Sequence, residues 1–192
     1  MKKIGLTGGI GSGKSFVAKQ IEAMGYPVYY SDNQAKKISN ENPLVRESLI
    51  SLVGPLVYEN NKINKEYLRA QLFSNEELRG KVNAIVHPAV RADFSRWLKE
   101  QKTSDLIFNE AAILFETGAY KNFDAVILVY APEEVKIDRL LRRDRSSRSE
   151  IKLKMQAQWN DKRKKTLTRY HILNDGKKSI EEQLNAILAQ LL

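Results

Sequence analysis

The run Gly8-Gly9-Ile10-Gly11-Ser12-Gly13-Lys14-Ser15 satisfies G-x-x-x-x-G-K-S/T in full. Glycines let the backbone wrap closely around phosphate oxygens with its N–H groups turned inward. A helix that follows at once presents its N-terminus and a partial positive charge. Lys14 then reaches the β- and γ-phosphates of a nucleotide, and the Ser15 hydroxyl joins a Mg²⁺ shell. Gly9, Gly11, Ser12, Gly13, Lys14, Ser15 and Phe16 are the expected nucleotide-binding residues, with Lys14 catalytic and Ser15 the metal ligand. A glycine-rich turn without a ligand is the plainer alternative, but the strand–loop–helix setting favours the phosphate loop. The dinucleotide pattern G-x-G-x-x-G fails: counted from Gly9 its last position is Lys14, and from Gly11 it is Phe16. The motif therefore points to a nucleoside triphosphate.

Asp32 follows the second apolar strand, at the edge where open parallel sheets bind ligands. A carboxylate there orients an acceptor hydroxyl and takes its proton. The competing role is a helix N-cap. His87 precedes Pro88, and Arg91 stands one turn further on, able to share its face. Glu110 and Glu116 bracket the loop after the third strand, each readable as a magnesium-shell or substrate contact or as a surface acid. Arg139, Arg142, Arg143, Arg145, Arg148, Lys152, Lys154, Lys162, Arg163, Lys164 and Lys165 crowd one stretch. Mobile arginines that close on a transferred phosphoryl group are a recurrent solution, while several of these cations, Lys164 and Lys165 among them, read as solvated surface.

Strands are expected at Lys3–Thr7, Pro27–Tyr30, Leu106–Asn109, Ala125–Val129 and His171–Asn174. Several are continuous apolar runs, as in a parallel sheet covered on both faces. Helices are expected from Lys14 to Met24 with Gly25 as the stop, after Pro132, and behind the capping signals Ser147-x-x-Glu150 and Ser179-x-x-Glu182. The helix behind Ser147 carries Ile151, Met155 and Trp159 on one face. Between Asn33 and Gln101 the pattern is mainly helical, with Ser74-x-x-Glu77 opening a long helix that Pro88 should kink or break. This stretch is too long for a simple crossover and reads as an insertion. The fold class is α/β with a mostly parallel sheet.

The 192 residues suit one domain with small insertions. There is no cysteine, which excludes disulfides, zinc-thiolate sites and cysteine nucleophiles. No apolar run approaches the roughly 20 residues of a membrane span, and the N-terminus carries no secretory pattern. The expectation is a cytoplasmic protein with no membrane partner. The net charge of +9 raises nucleic-acid binding, but there is no aromatic-interleaved basic stripe or known motif for it. A GTPase switch is disfavoured by the absence of an Asn/Thr-Lys-x-Asp element. A nucleoside-monophosphate or other small-metabolite kinase shares this core and differs in its acceptor subdomain.

Taken together, the residues resemble the dephospho-CoA kinases over nearly the whole chain. Leu6–Ser15 is similar to that family's version of the phosphate loop. Tyr30-Ser31-Asp32 stands where the family has Asp-Ala-Asp, so the second aspartate is kept. His87-Pro88, Ala112-Ile113-Leu114-Phe115-Glu116, Arg139-Leu140-Leu141-Arg142-Arg143-Asp144 and a lid glutamine at Gln158 match further motifs. The late segment Thr168–Asn174 matches weakly, with Arg169 in place of an aspartate. The resemblance implies a P-loop NTPase fold with a five-stranded parallel sheet. It implies a nucleotide core over 1–32, 103–135 and 168–192, a helical CoA-binding subdomain over 33–102, and a helical lid over 136–167. It implies ATP as phosphate donor with Mg²⁺, dephospho-CoA as acceptor and CoA as product. Asp32, Arg139 and Arg143 are then catalytic, and Asn174 lies on the nucleotide side. Asp32, His87, Arg91, Leu114 and Glu116 lie on the acceptor side. A monomer or weak homo-oligomer is expected.

Overall fold

The computed structural model describes residues 1–73, 75–144 and 146–192. The capping serine expected at Ser74, and Arg145 of the basic stretch, lie outside the described residues. In chain order the elements begin with β1 (Lys2–Thr7), α1 (Lys14–Ala23) and β2 (Val28–Tyr30). There follow α2 (Ser31–Glu41), α3 (Pro43–Val53), β3 (Tyr58–Glu59), β4 (Lys62–Ile63), α4 (Lys65–Leu72) and α5 (Glu76–Glu100). The last are β5 (Leu106–Glu110), β6 (Ala125–Tyr130), α6 (Glu133–Arg143), α7 (Arg148–Gln156), α8 (Asp161–Lys165), β7 (Tyr170–Leu173) and α9 (Ile180–Leu191). They form two compact units: Met1–Tyr30 with Gln101–Leu192, and Ser31–Glu100.

The first unit is built on a five-stranded sheet in the order β2-β5-β1-β6-β7, with every neighbouring pair parallel. Ile4, Leu6, Phe108, Ile127, Val129 and Ile172 bury one face against α1 and α9. The alternate residues Val126 and Leu128 pack on Phe115, Tyr120, Phe123 and Trp159 across the other. Burial on both faces is why these strands read as continuous apolar runs, each large side chain contributing about 1.5–3 kcal/mol. α1 stops at Gly25, whose φ of 90° lets its N–H reach Glu22 O (2.9 Å) while Tyr26 N–H reaches Ile21 O (3.2 Å). Ser147 and Glu150 form the expected capping box on α7. Trp159 does not continue that helix, as its spacing from Met155 had indicated. α7 ends at Gln156, and the Trp159 N–H is taken by Glu116 Oε1 (3.1 Å).

In the second unit the apolar face of α5 (Val82, Ile85, Val86, Ala89) packs on Val45, Leu49 and Val57. Pro88 does not break α5, which runs unbroken for 25 residues. The proline forfeits a single bond to the Ala84 carbonyl, and packing of the whole face outweighs it. At the start of α5 the cap is Asn75, whose Oδ1 accepts the Leu78 N–H at 2.8 Å. One feature escapes a helical reading of this stretch. β3 and β4 form a hairpin turned by Asn60 and Asn61 at φ 48° and 62°. Asparagine tolerates the left-handed region that such a two-residue turn requires. Arg46 covers the hairpin, its guanidinium 4.1 Å from the Tyr58 ring and bonded to the Asn61 carbonyl (2.9 Å).

Asn61→Val forces a β-branched residue into the left-handed region and should destabilise the chain by about 1–2 kcal/mol. Asn61→Gly should be neutral or stabilising. Thermal unfolding of the two variants beside the parent reads the difference, and equal midpoints would refute the strained-turn account.

Candidate active site

The phosphate loop leaves the C-terminal end of β1, the middle strand, and enters α1 at Lys14. Register pairs Leu6 of β1 with Glu110, the last residue of β5. That pairing sets a carboxylate beside the loop. Glu110 is 3% exposed, and its Oε1 lies 2.8 Å from Lys14 Nζ and accepts the Ser15 hydroxyl at 3.1 Å. The sequence bracketed Glu110 with Glu116 without separating their roles. Strand register was the missing information.

The underside of the loop is braced by two side chains from distant segments. Arg139 of α6 donates to the carbonyls of Ser12 (3.3 Å) and Gly11 (3.5 Å), and to Asn174 Oδ1 (3.0 Å). Asn174, just past β7, donates from Nδ2 to the Ser12 carbonyl at 2.9 Å. Gly13 sits above this brace at φ 85°, where a Cβ would come 2.2 Å from Asn174 Nδ2. Gly8 is confined likewise: a Cβ there would meet the Val129 carbonyl at 2.3 Å.

Two cavities open beside the loop within this unit. One of ≈ 620 Å³ is lined by Gly13, Phe16, Arg139, Asn174 and Ile180. Half-exposed Phe16 and the brace residues bound it. The other, of ≈ 680 Å³, lies between Gly9 and Ile10 of the loop and Lys136, Lys152, Gln158 and Arg163. Gln158 Oε1 accepts the Ile10 N–H at 2.8 Å. Asp161 Oδ2 accepts from the nearly buried Lys136 Nζ at 2.7 Å.

Arg143 is exposed and forks onto Asp144 (2.8 and 3.1 Å), which raises its pKa. Leu114 is buried, its Cδ1 2.8 Å from where a Cβ on Gly5 would lie, and its carbonyl accepts the Tyr120 N–H at 3.1 Å. Glu116 is turned inward onto Lys164 (2.7 Å). Lys164 is fully buried rather than solvated, and Lys165 Nζ sits 3.3 Å above the Tyr130 ring. Both depart from the surface role the charge run had indicated, because α8 lies directly over β6. Tyr30, in the place of an aspartate, donates to Glu22 Oε2 at 2.7 Å. Burial first, and then the Glu22 carboxylate, hold its phenol well above the usual range.

In the second unit Asp32 lies in the first turn of α2, where the helix dipole favours a carboxylate. His87 and Arg91 share α5. Burial, and then the Arg91 charge, push the His87 pKa below its ordinary 6.5. Among the described residues no three His, Cys, Asp or Glu converge as a metal cluster, and no helix is long and apolar enough to cross a membrane.

A phosphate loop on the middle strand of this parallel sheet, with an acid ending the neighbouring strand and a helical cover of basic residues, defines a P-loop kinase. The dephospho-CoA kinase family model matches residues 2–180. A dephospho-CoA kinase of Bacteroides fragilis is 40% identical over 189 residues, spanning 98% of this chain and 92% of that one. The crystal structure of a Thermus thermophilus protein superposes with a TM-score of 0.88 at 32% identity, over 100% of this chain and 98% of the other. A dephospho-CoA kinase from Campylobacter jejuni gives 0.67 at 26% identity, over 98% and 96%. The chain belongs to the dephospho-CoA kinase family, transferases that phosphorylate dephospho-CoA to CoA with ATP as donor.

Gly13→Ala should displace Asn174 and raise the KM for ATP by tenfold or more, an effect on the order of 1.4 kcal/mol. Circular dichroism should show the fold retained. An unchanged KM would show that the brace does not set the loop.

For His87 the sign follows from its lowered pKa. The unfolded chain takes up the proton first, so stability is full above pH 6.5 and falls as the pH drops from there through the lowered folded value. His87→Gln should flatten that acid limb in chemical unfolding between pH 7 and 5. A parallel fall in both proteins would refute the assignment.

Proposed function

We propose that this chain carries the γ-phosphate of ATP to the ribose 3′-hydroxyl of dephospho-CoA, the final step of CoA synthesis. The observation that carries the reading is the joint hold of Glu110 on Lys14 and Ser15 at the mouth of the phosphate loop. A buried carboxylate and a hydroxyl are hard oxygen donors and suit Mg²⁺, which keeps its other positions for phosphate oxygens and water. Ser15 and Glu110 would hold the ion. A cation held there would supply positive charge against the phosphate oxygens of the nucleotide.

The loop N–H groups of Gly11 and of Gly13 to Ser15 receive the phosphates, the Ile10 N–H being held by Gln158 and that of Ser12 by the Gly9 carbonyl, and Lys14 leaves Glu110 for the β- and γ-oxygens. The cavity beside Phe16, Arg139 and Asn174 takes the adenosine. It adjoins Gly13 and Phe16, where the loop enters α1, whereas Gly9 and Ile10 line the other cavity, and this supports the placement. Asp32 takes the proton of the 3′-hydroxyl as the new O–P bond forms and the bond from the γ-phosphorus to the β–γ bridging oxygen breaks. Arg139, fixed on three acceptors, holds the loop in register. Arg143 is the mobile arginine of the pair. Its exposed bridge to Asp144 is worth at most about 1 kcal/mol and is readily released to the transferred phosphoryl group. Segment 136–167 acts as the lid.

The Ser31–Glu100 unit supplies acceptor recognition, with the uncharged His87 donating or accepting hydrogen bonds and Arg91 carrying the positive charge for a phosphate. The reading needs neither nucleic acid nor membrane. It places the enzyme in the cytoplasm, with ATP and its acceptor, as a monomer or weak homo-oligomer.

Asp32→Asn keeps the size and helix-start compatibility of aspartate but not its basicity. It should lower kcat by about 10²-fold with calorimetric ATP affinity preserved. Lys14→Ala should cost more, since it removes phosphate stabilisation directly. A coupled ADP-release assay with dephospho-CoA, AMP and pantetheine side by side reads both. Near-normal turnover in Asp32→Asn would remove the base role, and preference for AMP would overturn the acceptor assignment.

A further inference from the structure

Glu116 and Lys164 form an ion pair that lines neither cavity but backs Trp159 and Arg163, which line the larger one. The Lys164 side chain is 0% exposed and that of Glu116 14%, with Nζ and Oε1 2.7 Å apart. Glu116 Oε1 also accepts the Trp159 N–H at 3.1 Å. Beyond this ion pair, neither Glu116 Oε2 nor Lys164 Nζ has a hydrogen-bond partner among the described residues. Such a pair is a poor way to gain stability, because stripping water from two charges costs as much as their attraction returns. Apolar residues of the same volume would pack this place as well. What the pair does supply is direction: one carboxylate oxygen ties the backbone at Trp159 to α8.

The turn so tied addresses the phosphate loop from both sides of the anchor. Gln158, immediately before Trp159, accepts the Ile10 N–H at 2.8 Å. Asp161, two residues after it, holds Lys136, and its Oδ1 lies 3.5 Å from where a Cβ on Gly9 would be. Asn160 caps α8 by accepting the Arg163 N–H (2.8 Å), and the Arg163 guanidinium lies 3.3 Å over the Trp159 ring. The turn thus has little freedom while the carboxylate holds.

We propose that Glu116 and Lys164 are a positioning pair that fixes the Trp159 turn, so that Gln158 and the Lys136–Asp161 bridge stand over the γ-phosphate end of the phosphate loop. The proposal rests on the reading of that loop as the ATP site. It gives Glu116 a role other than the substrate contact implied by family resemblance. The two roles separate in a compensated variant. A glutamine at 116 still accepts the Trp159 N–H, and a methionine at 164 fills the space of the lysine stem without a charge.

The test is a double-mutant cycle of Glu116→Gln and Lys164→Met in a Trp97→Phe background, where Trp159 is the remaining tryptophan. Each single change leaves one buried group uncompensated. Each should lower kcat about tenfold and make Trp159 emission red-shifted and more quenchable by acrylamide. The double variant should recover kcat to within about threefold of the background, with parental emission. A double variant as impaired as Glu116→Gln, with a raised KM for dephospho-CoA, would show that Glu116 meets the substrate and would overturn the proposal. So would single variants in which Trp159 emission does not move. If the singles do not fold, the double decides alone: parental emission with recovered kcat supports the pair, and lost kcat with parental emission sinks it. Failure of the ATP-site reading looks different. Lys14→Ala would then leave turnover intact while the fluorescence cycle remained readable.

Discussion

The Glu110 carboxylate is the constraint on which the reactive end of this protein depends. It is nearly buried, it ends the strand beside β1, and it holds both the ammonium of Lys14 and the hydroxyl of Ser15. Strand pairing alone brings it there, since Leu6 and Glu110 are register partners. A carboxylate so placed keeps the lysine from collapsing onto the loop's own carbonyls. It also sets a hard oxygen beside the serine hydroxyl.

The loop needs support from below, because a backbone that points its N–H groups at a ligand turns its carbonyls the other way. Arg139 and Asn174 receive those carbonyls, and they also bond to each other. An unpaired buried carbonyl costs about 1–3 kcal/mol, so the brace is as much a folding requirement as a functional one. The same brace dictates Gly13. The space a Cβ would need is filled by the Asn174 amide. Substrate geometry, loop conformation and glycine identity are thus one problem, solved by segments more than a hundred residues apart.

On the other side of the loop the charge is organised differently. The basic stretch divides by burial. Lys136 and Lys164 are sequestered in ion pairs with Asp161 and Glu116, while Arg143 and Arg148 lie at the surface on Asp144 and Glu134. Buried pairs hold geometry, and exposed bridges exchange easily with water or a phosphate.

The phosphate loop, the parallel sheet, the capping box at Ser147 and the helical insertion were legible in the sequence because each is set by local rules. Glycine spacing, apolar runs and cap residues act over a few positions. The Asn60-Asn61 hairpin was missed because two-residue strands carry too little periodicity to see, although the turn residues were there to be read. Pro88 misled because its local penalty is real but smaller than the packing of a 25-residue helix. Glu110 rather than Glu116 beside Ser15, Arg139 beneath the loop rather than over it, and Lys164 inside rather than outside were decided by tertiary structure. Each depends on which strand neighbours which and which helix covers them. Side-chain burial and long-range pairing have no period along the chain, so the sequence supplied these charges while only the fold settled which of them meet.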